Sequence, residues 1–392
     1  MYHSFFQSLF KLSFVLLAVG CREPFEIKVT SSVNLVVVDG GITNLPEKQV
    51  IKLSRSTGDS LTGIPISQAI SSATVELVID SVNVVPFQQI ADGFYQLPER
   101  FQGIVGHRYQ LRFKLEDGTQ YASTVETMQP VPLIEKIYDR FNPQSISTDQ
   151  TGTFVAANDL FLNTNDPANV RNFYRWDWIL WERQEICHSC TNGMYYVYDA
   201  KGNLVEDCIP EPRTPGAYYE TYYWDYRCRM RCWDVFSSYS IDLFADTYTN
   251  GGPLTGRRVA QIPFYQSTPA LVEIRQSSLT QGAYRYYKLL ADQTQNTGGL
   301  ADTPPSPSIG NVRNITNEKE QVIGYFTVSA LSKVRHWLDR ANNTGAAIGL
   351  FYAINRRNPR VEEASPIQGR PPLAICIPSE NRTPIKPEGW RD

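Results

Sequence analysis

The sequence predicts a mainly β protein, in which an N-terminal immunoglobulin-like or transthyretin-like β-sandwich precedes a larger β-rich domain with one or two short helices. Two observations predict this class. Charged residues make up only 20% of the 392 residues while aromatic residues reach 12%, a composition that favours strands over helical bundles. Residues 109–116 also alternate apolar and polar side chains, which is the period-2 pattern of a strand with one buried face.

The region 31–130 contains about seven short apolar runs separated by Gly, Pro, Ser and Asn. Asp117-Gly118 forms a tight turn between two of these runs. The clearest predicted strands cover 34–38, 49–53, 73–79, 109–116 and 121–126. This number of short strands in roughly 100 residues is typical of a β-sandwich, and Pro130-Val131-Pro132 marks its predicted end because proline cannot extend a strand ladder.

The region 131–392 is predicted to be mostly strand, with a cysteine-rich insertion at about 185–233. A strand is expected over 173–178 and a hairpin over 195–206. One helix is expected after a Ser or Thr cap at 277–280, and a second over 329–338. The proline-rich tail from Arg370 is expected to pack along the surface.

Residues 12–21 form a short apolar stretch that ends in small residues and Cys21, as bacterial lipoprotein signal peptides do. The run is too short to span a bilayer, which needs about 20 residues. We therefore expect residues 1–20 to be a signal peptide, Cys21 to carry lipid, and 21–30 to be a lipidated N-terminal tether; the alternative is a secreted chain with an unmodified cysteine. Glu23 and Glu26 favour display at the cell surface, with the periplasmic leaflet as the alternative.

Six further cysteines predict up to three disulfides in an exported chain. These residues are Cys187, Cys190, Cys208, Cys228, Cys232 and Cys376. Because closing a long loop removes much chain entropy, we expect Cys376 to tie the tail to the 228–232 segment and the insertion cysteines to pair locally. The alternative is a zinc site at Cys187 and Cys190. No metal or other cofactor is expected.

The segment 218–233 contains seven aromatic residues interleaved with arginines. Its binding-surface candidates are Tyr222, Tyr223, Trp224 and Tyr226, since Tyr, Trp and Arg dominate interface hot spots and aromatic faces stack on sugars. The alternative is a hairpin whose rings fill the core. Trp176, Trp178 and Trp181 stand on a patterned strand and are expected in the core.

No catalytic set emerges from the sequence. The motifs GxSxG, HExxH and the P-loop are missing, and the near balance of 37 basic and 40 acidic residues gives no electrostatic case for nucleic acid. A non-enzymatic protein is therefore expected. A hydrolase that acts on glycan or peptide through two distant carboxylates is the alternative.

Several sequence blocks occur in an order that resembles a known family. They are Leu35 to Ile42, Gly93-Phe94-Tyr95, Ser277 to Tyr287, Gly298-Gly299-Leu300, Pro304 to Pro307, Ile309 to Asn314, Val322 to Phe326 and Lys386 to Trp390. Together they resemble the lipoproteins of domain of unknown function family 4249.

The resemblance implies an outer-membrane lipoprotein of Bacteroidota that works beside a TonB-dependent β-barrel transporter and has no assigned catalytic residues. An adhesin or structural surface protein is the further alternative. The chain departs from the family pattern in its cysteine-rich insertion and in keeping only Cys376 where a C-terminal pair is expected.

Overall fold

The computed structural model describes residues 34–58, 65–148, 152–198, 201–211, 221–247, 251–294, 309–362 and 371–392. The predicted signal peptide 1–20, the lipidation residue Cys21 and the tether 21–30 lie outside these ranges. Within them the chain forms 23 strands and two helices, which confirms the mainly β class. No helix in the described ranges has the length and apolar character that a membrane span requires.

The first ten strands lie in the N-terminal region. They are β1 (Leu35–Thr43), β2 (Val50–Gly58), β3 (Pro65–Ala69), β4 (Thr74–Ile79), β5 (Asn83–Pro86), β6 (Gln88–Ala91), β7 (Phe94–Gln96), β8 (Arg108–Lys114), β9 (Gln120–Ser123) and β10 (Glu126–Thr127). The predicted strands of this region are therefore present, because their apolar and polar alternation is local.

The larger region contributes thirteen strands and both helices. The strands are β11 (Ile134–Ser147), β12 (Phe154–Asp166), β13 (Phe173–Thr191), β14 (Gly193–Tyr198), β15 (Leu204–Pro210), β16 (Tyr223–Ser237), β17 (Asp242–Ala245), β18 (Gly252–Pro263), β19 (Ala270–Ser278), β20 (Val312–Asn314), β21 (Val322–Ser329), β22 (Leu331–Leu338) and β23 (Arg382–Thr383). The helices are α1 (Gln281–Thr294) and α2 (Leu350–Asn355).

Two six-stranded sheets share the first hydrophobic core. One has the order β21-β1-β2-β7-β6 with β3 on β2, and the other has the order β20-β9-β8-β4-β5 with β10 on β8. Val312, Val322 and Phe326 are buried in this core beside residues of β1 and β8. β20 and β21 come from the predicted second domain but belong to these two sheets. The domain boundary predicted at residue 130 therefore does not divide the chain into two separately packed parts. The immunoglobulin-like or transthyretin-like topology stays a prediction.

β21 runs parallel to β1, from the Val36 and Val322 pair to the Thr43 and Ser329 pair. Gly324 makes this close approach possible. Its φ is 97°, and a Cβ added there would lie 1.8 Å from the carbonyl oxygen of Val38. Glycine is the residue that accepts both the positive φ and the contact.

Two further sheets enclose the second core. One has the order β11-β12-β18, and the other has the order β22-β19-β13-β16-β23 with β17 on β13. Leu160 and Ile262 of the first sheet pack with Trp176, Leu180 and Ile274 of the second. The 19-residue strand β13 is the spine, because it pairs with β16, β17 and β19. β14 and β15 form the predicted hairpin.

The first predicted helix is present as α1, and the Thr280 hydroxyl caps it by accepting a hydrogen bond from the Ala283 amide at 3.3 Å. The second predicted helix, over 329–338, is wrong. Leu331–Leu338 is the strand β22, which pairs with β19 over eight residues. The spacing of its apolar residues suggested a helix, but both faces of this strand are covered by other elements. Val334 and Leu338 pack on the core. Lys333 and Arg335, on the other face, form ion pairs with carboxylates.

The proline-rich tail contributes to the interior as well as to the surface. Ala374 is fully buried, and Trp390 packs edge-on against both Trp233 and Trp337, at centroid distances of 5.6 and 5.2 Å. Aromatic pairs of this geometry stabilise by about 0.5–1.5 kcal/mol beyond their buried area. The tail is thus part of the folded unit.

Gly324→Ala should lower the free energy of unfolding by about 3 kcal/mol or more, because it adds a backbone clash to a strained φ. Gly118→Ala is the matched control: Gly118 has a φ of 89° with nothing within 4 Å of its added Cβ, so only strain of about 1 kcal/mol is expected. Urea denaturation measures both. Equal losses would contradict the close approach of β1 and β21.

Candidate binding groove

The six cysteines form three disulfides: Cys187–Cys228, Cys190–Cys208 and Cys232–Cys376. The expected link from Cys376 to the 228–232 segment is present, as is one local bridge within the insertion. Cys187 also pairs within the insertion at 185–233, as expected. Its partner is Cys228 because β13 and β16 are antiparallel neighbours and their register brings these residues together.

The zinc alternative is not supported by this arrangement. Two groups of potential ligands do cluster, Cys187 with Cys228 and Cys232, and His188 with Cys190 and Cys208. Every cysteine in both groups is already bonded to another sulfur, and a zinc ligand must be a free thiolate.

The predicted aromatic surface is only partly exposed. Tyr226 is 1% exposed and donates a hydrogen bond to Glu362 at 3.0 Å, so its assignment to a binding surface is wrong; an alternating strand turns every second side chain inward. Tyr222 and Trp224 are half-buried and contact each other edge-on. Tyr223 is 36% exposed. Tyr218 and Tyr219 lie outside the described residues.

Arginines from the same chain cover the outer rings of this segment. The Arg357 guanidinium lies 4.3 Å from the centroid of Tyr223, and that of Arg360 lies 4.6 Å from the centroid of Trp224. These cation–π contacts occupy the faces that a partner would use. The exposed side of the segment therefore packs against the 357–360 loop. Trp176 is buried as predicted, and Trp178 and Trp181 pack against the cores.

Asp225 holds the same loop from within. Both of its carboxylate oxygens accept hydrogen bonds from Arg357 at 2.6 Å, and it also accepts from the Ser189 hydroxyl and the Arg360 amide. Burial opposes ionisation of this carboxyl, but these hydrogen bonds outweigh it and lower its pKa.

A second concave surface lies elsewhere in the larger region, beside strands of its two sheets. Two adjoining cavities of about 760 and 790 Å³ share four lining residues: Ile146, Tyr239, Pro263 and Tyr265. We call this surface the Tyr239 groove. Each half falls within the 300–1,000 Å³ range of small-molecule sites.

Tyr239 is 96% exposed and lies in the short loop between β16 and β17. The loop is held at its base because Ser238 donates its amide to the Trp178 carbonyl at 2.9 Å and accepts from the Trp178 amide at 3.1 Å through its hydroxyl. These two hydrogen bonds fix the backbone next to Tyr239, whose ring extends into solvent. The exposed ring borders both cavities and is therefore accessible to a ligand in either.

The floor of the groove is aromatic and rigid. Phe236 and Tyr265 stack with a centroid distance of 5.1 Å and an interplanar angle of 16°. Arg257 forms an ion pair with Asp242 and lies 5.2 Å from the centroid of Trp176. Burial raises the pKa of Asp242, while Arg257 acts in the opposite direction.

Among the described residues, the charged lining of the groove consists of four arginines and two aspartates: Arg257, Arg258, Arg356, Arg382, Asp234 and Asp242. Each aspartate is paired with an arginine, Asp234 with Arg382 at 2.6 Å and Asp242 with Arg257. Arg356 has no ion-pair partner among the described residues, and Arg258 has only Asp159, at 3.7 Å and outside the lining. Sequence reasoning missed this groove because its lining comes from six separate segments, namely 146–155, 178, 234–242, 256–265, 348–356 and 379–382. The signal available in the sequence was a lone Tyr239 among serines.

The family-like blocks converge at a different place, around Glu126. This carboxylate is 7% exposed and accepts hydrogen bonds from Thr124 at 2.7 Å, Thr280 at 2.5 Å and Tyr325 at 2.9 Å. Asn311 donates a longer bond at 3.3 Å. Three blocks that are distant in sequence thus meet at one buried acid.

The fold and the groove define a mainly β protein with a disulfide-linked insertion and an aromatic, arginine-lined groove. The chain belongs to the family described as Domain of unknown function (DUF4249), which matches residues 22–335. No curated protein and no solved structure shows significant similarity to the chain.

Asp225→Asn should lower the free energy of unfolding by about 2–3 kcal/mol at pH 7, because it leaves Arg357 without its partner. The folded pKa of Asp225 is lowered from the unfolded value of about 3.9, so this stabilisation is complete above that pH and disappears as the pH falls through the folded pKa. Denaturation of both proteins between pH 2.5 and 7 measures this. A difference independent of pH, or equalled by the exposed control Glu116→Gln, would contradict the ion pair.

The disulfides predict an order of stabilities. Replacing Cys232 and Cys376 by Ser opens a loop with a sequence separation of 144 and should cost about 5 kcal/mol; replacing Cys190 and Cys208 opens one of 18 and should cost about 3 kcal/mol. Thermal denaturation ranks the two variants. Peptide mapping without reduction checks the three pairs directly, and any other pairing would refute this framework.

Proposed function

We propose that the protein is a lipid-anchored outer-membrane lipoprotein, displayed at the cell surface, that acts as a non-enzymatic binding component beside a TonB-dependent transporter. The observation that carries the binding role is the Tyr239 groove. Its two cavities flank an exposed ring on a fixed loop. Cys21 supplies the anchor, and more than one acyl chain gives stable attachment without a transmembrane helix.

The charged groups of the groove support binding over catalysis. Glycoside hydrolysis requires one carboxyl that donates a proton and one that acts as a base or nucleophile, yet Asp234 and Asp242 each accept hydrogen bonds from an arginine. No described histidine lines the groove. His107 and His336 contact Asp80 and Asp139, and His188 lies 3.2 Å from the Cys208 sulfur.

The family provides the support for the partner. The chain belongs to the DUF4249 family, and the sequence resemblance to its lipoproteins implies a neighbouring TonB-dependent receptor. A preformed groove suits such a role because little conformational entropy is lost when it binds a ligand.

The transporter role is tested by affinity purification of the full chain from gently solubilised outer membranes. We expect a β-barrel partner to copurify in stoichiometric amount with the wild type and to be lost with Cys21→Ala, which removes the anchor. The matched control is the exposed Arg100→Gln, which keeps Cys21 and all three disulfides and should retain the partner. Recovery of the wild-type protein alone would contradict the proposed role.

A further inference from the structure

We propose that the ligand of the Tyr239 groove is an anionic oligosaccharide, whose sugar rings stack on Tyr239 and whose acidic groups bind Arg258 and Arg356. This inference rests on the binding function proposed above and names its ligand class. Carboxylate and sulfate groups share the chemistry that a guanidinium recognises, namely a planar or tetrahedral anion that accepts two hydrogen bonds.

The aromatic part of the argument concerns shape. Tyr239 borders both cavities, so one ligand that fills both must cross its ring. A sugar ring offers a flat face of C–H groups to an aromatic ring, and its hydroxyl groups stay in water. Asn381 lies in the lining of the first cavity, and its exposed amide can bind sugar hydroxyls. An apolar ligand would remove water from this amide without replacing its hydrogen bonds.

The charge of the ligand follows from the two arginines that lack a strong partner. Arg356 lies in the first cavity, is exposed, and forms no ion pair within the described chain. Arg258 lies in the second cavity and is 3.7 Å from Asp159. That aspartate already accepts hydrogen bonds from Asn142 and Ser145, so it holds Arg258 weakly. Positive charge therefore lies on both sides of Tyr239.

A peptide strand is the competing occupant, because β18 lines the second cavity and pairs only with β12 within the described ranges. Its free edge is poorly suited to strand addition. Pro253 and Pro263 lack amide donors, and two register shifts interrupt the ladder on either side of Arg257 and Arg258. Proline, bulges and charged side chains are the features that prevent strand pairing at sheet edges. Recognition through side chains is favoured instead.

The test is isothermal titration of the full lipoprotein in detergent with four probes. Two are anionic, a galacturonate tetramer and a chondroitin sulfate tetrasaccharide, and their comparison separates carboxylate from sulfate. The third is the galacturonate tetramer with its carboxyls methyl-esterified. The fourth is an octapeptide of alternating Glu and Val. We expect at least one anionic sugar to bind, about tenfold more weakly once its charge is removed or at high salt.

Two matched pairs of variants locate the site. Tyr239→Ala should weaken binding of the anionic sugar by about tenfold or more, whereas Tyr198→Ala, at a tyrosine that is 61% exposed on the β14 hairpin, should not change it. Arg258→Gln and Arg356→Gln should each weaken it by about fivefold or more, whereas the exposed Arg100→Gln should not. Thermal melts check that each variant is folded.

Three results would overturn the proposal: no binding of either anionic sugar, equal binding of the esterified tetramer, or tight binding of the octapeptide alone. The transporter role is judged separately. If Tyr239→Ala loses the sugar but still copurifies with the β-barrel, both proposals stand. If the sugars fail and the barrel still copurifies, the ligand class is wrong and the transporter role is retained.

Discussion

The parallel pairing of β1 with β21 is the constraint on which the rest of the structure depends. It joins the beginning of the described chain to a strand almost 300 residues later and closes the first core with Val322 and Phe326. Gly324 permits the approach, and Glu126 fixes the chain on both sides of it through Thr280, Asn311 and Tyr325. Because β22 follows β21 after one residue and pairs with β19, the same return also sets an edge of the second core.

Local patterns were enough to predict much of this fold. The strands of the N-terminal region and the helix that follows Thr280 depend on neighbouring residues, and the structure has them. The strand at 331–338 depends instead on Glu47 and Glu273, which neutralise Lys333 and Arg335 from other elements. The periodicity of a sequence does not show which residues of other elements will pair with these side chains. The return of β20 and β21 to the first core was missed for the same reason.

The candidate sites also depend on contacts between distant residues, which the sequence pattern does not show. The aromatic segment 218–233 is conspicuous in the sequence, but alternation along β16 buries Tyr226, and Arg357 and Arg360 cover the rings beside it. The groove is inconspicuous in the sequence because it is assembled from loops and strand ends of two sheets. Tyr239 becomes notable only once Ser238 is seen to anchor its loop to Trp178. The disulfides and the Asp225 ion pair stabilise the neighbouring scaffold.

Photo-cross-linking from position 239 in intact outer membranes tests most directly whether this groove is where the protein meets its ligand. A photoreactive phenylalanine derivative would replace Tyr239, with Tyr198 and Tyr223 replaced in parallel strains. We expect a discrete adduct from position 239 that free anionic sugar suppresses, and none from position 198. An adduct from position 223 alone, or equal labelling from all three positions, would contradict the assignment of the groove.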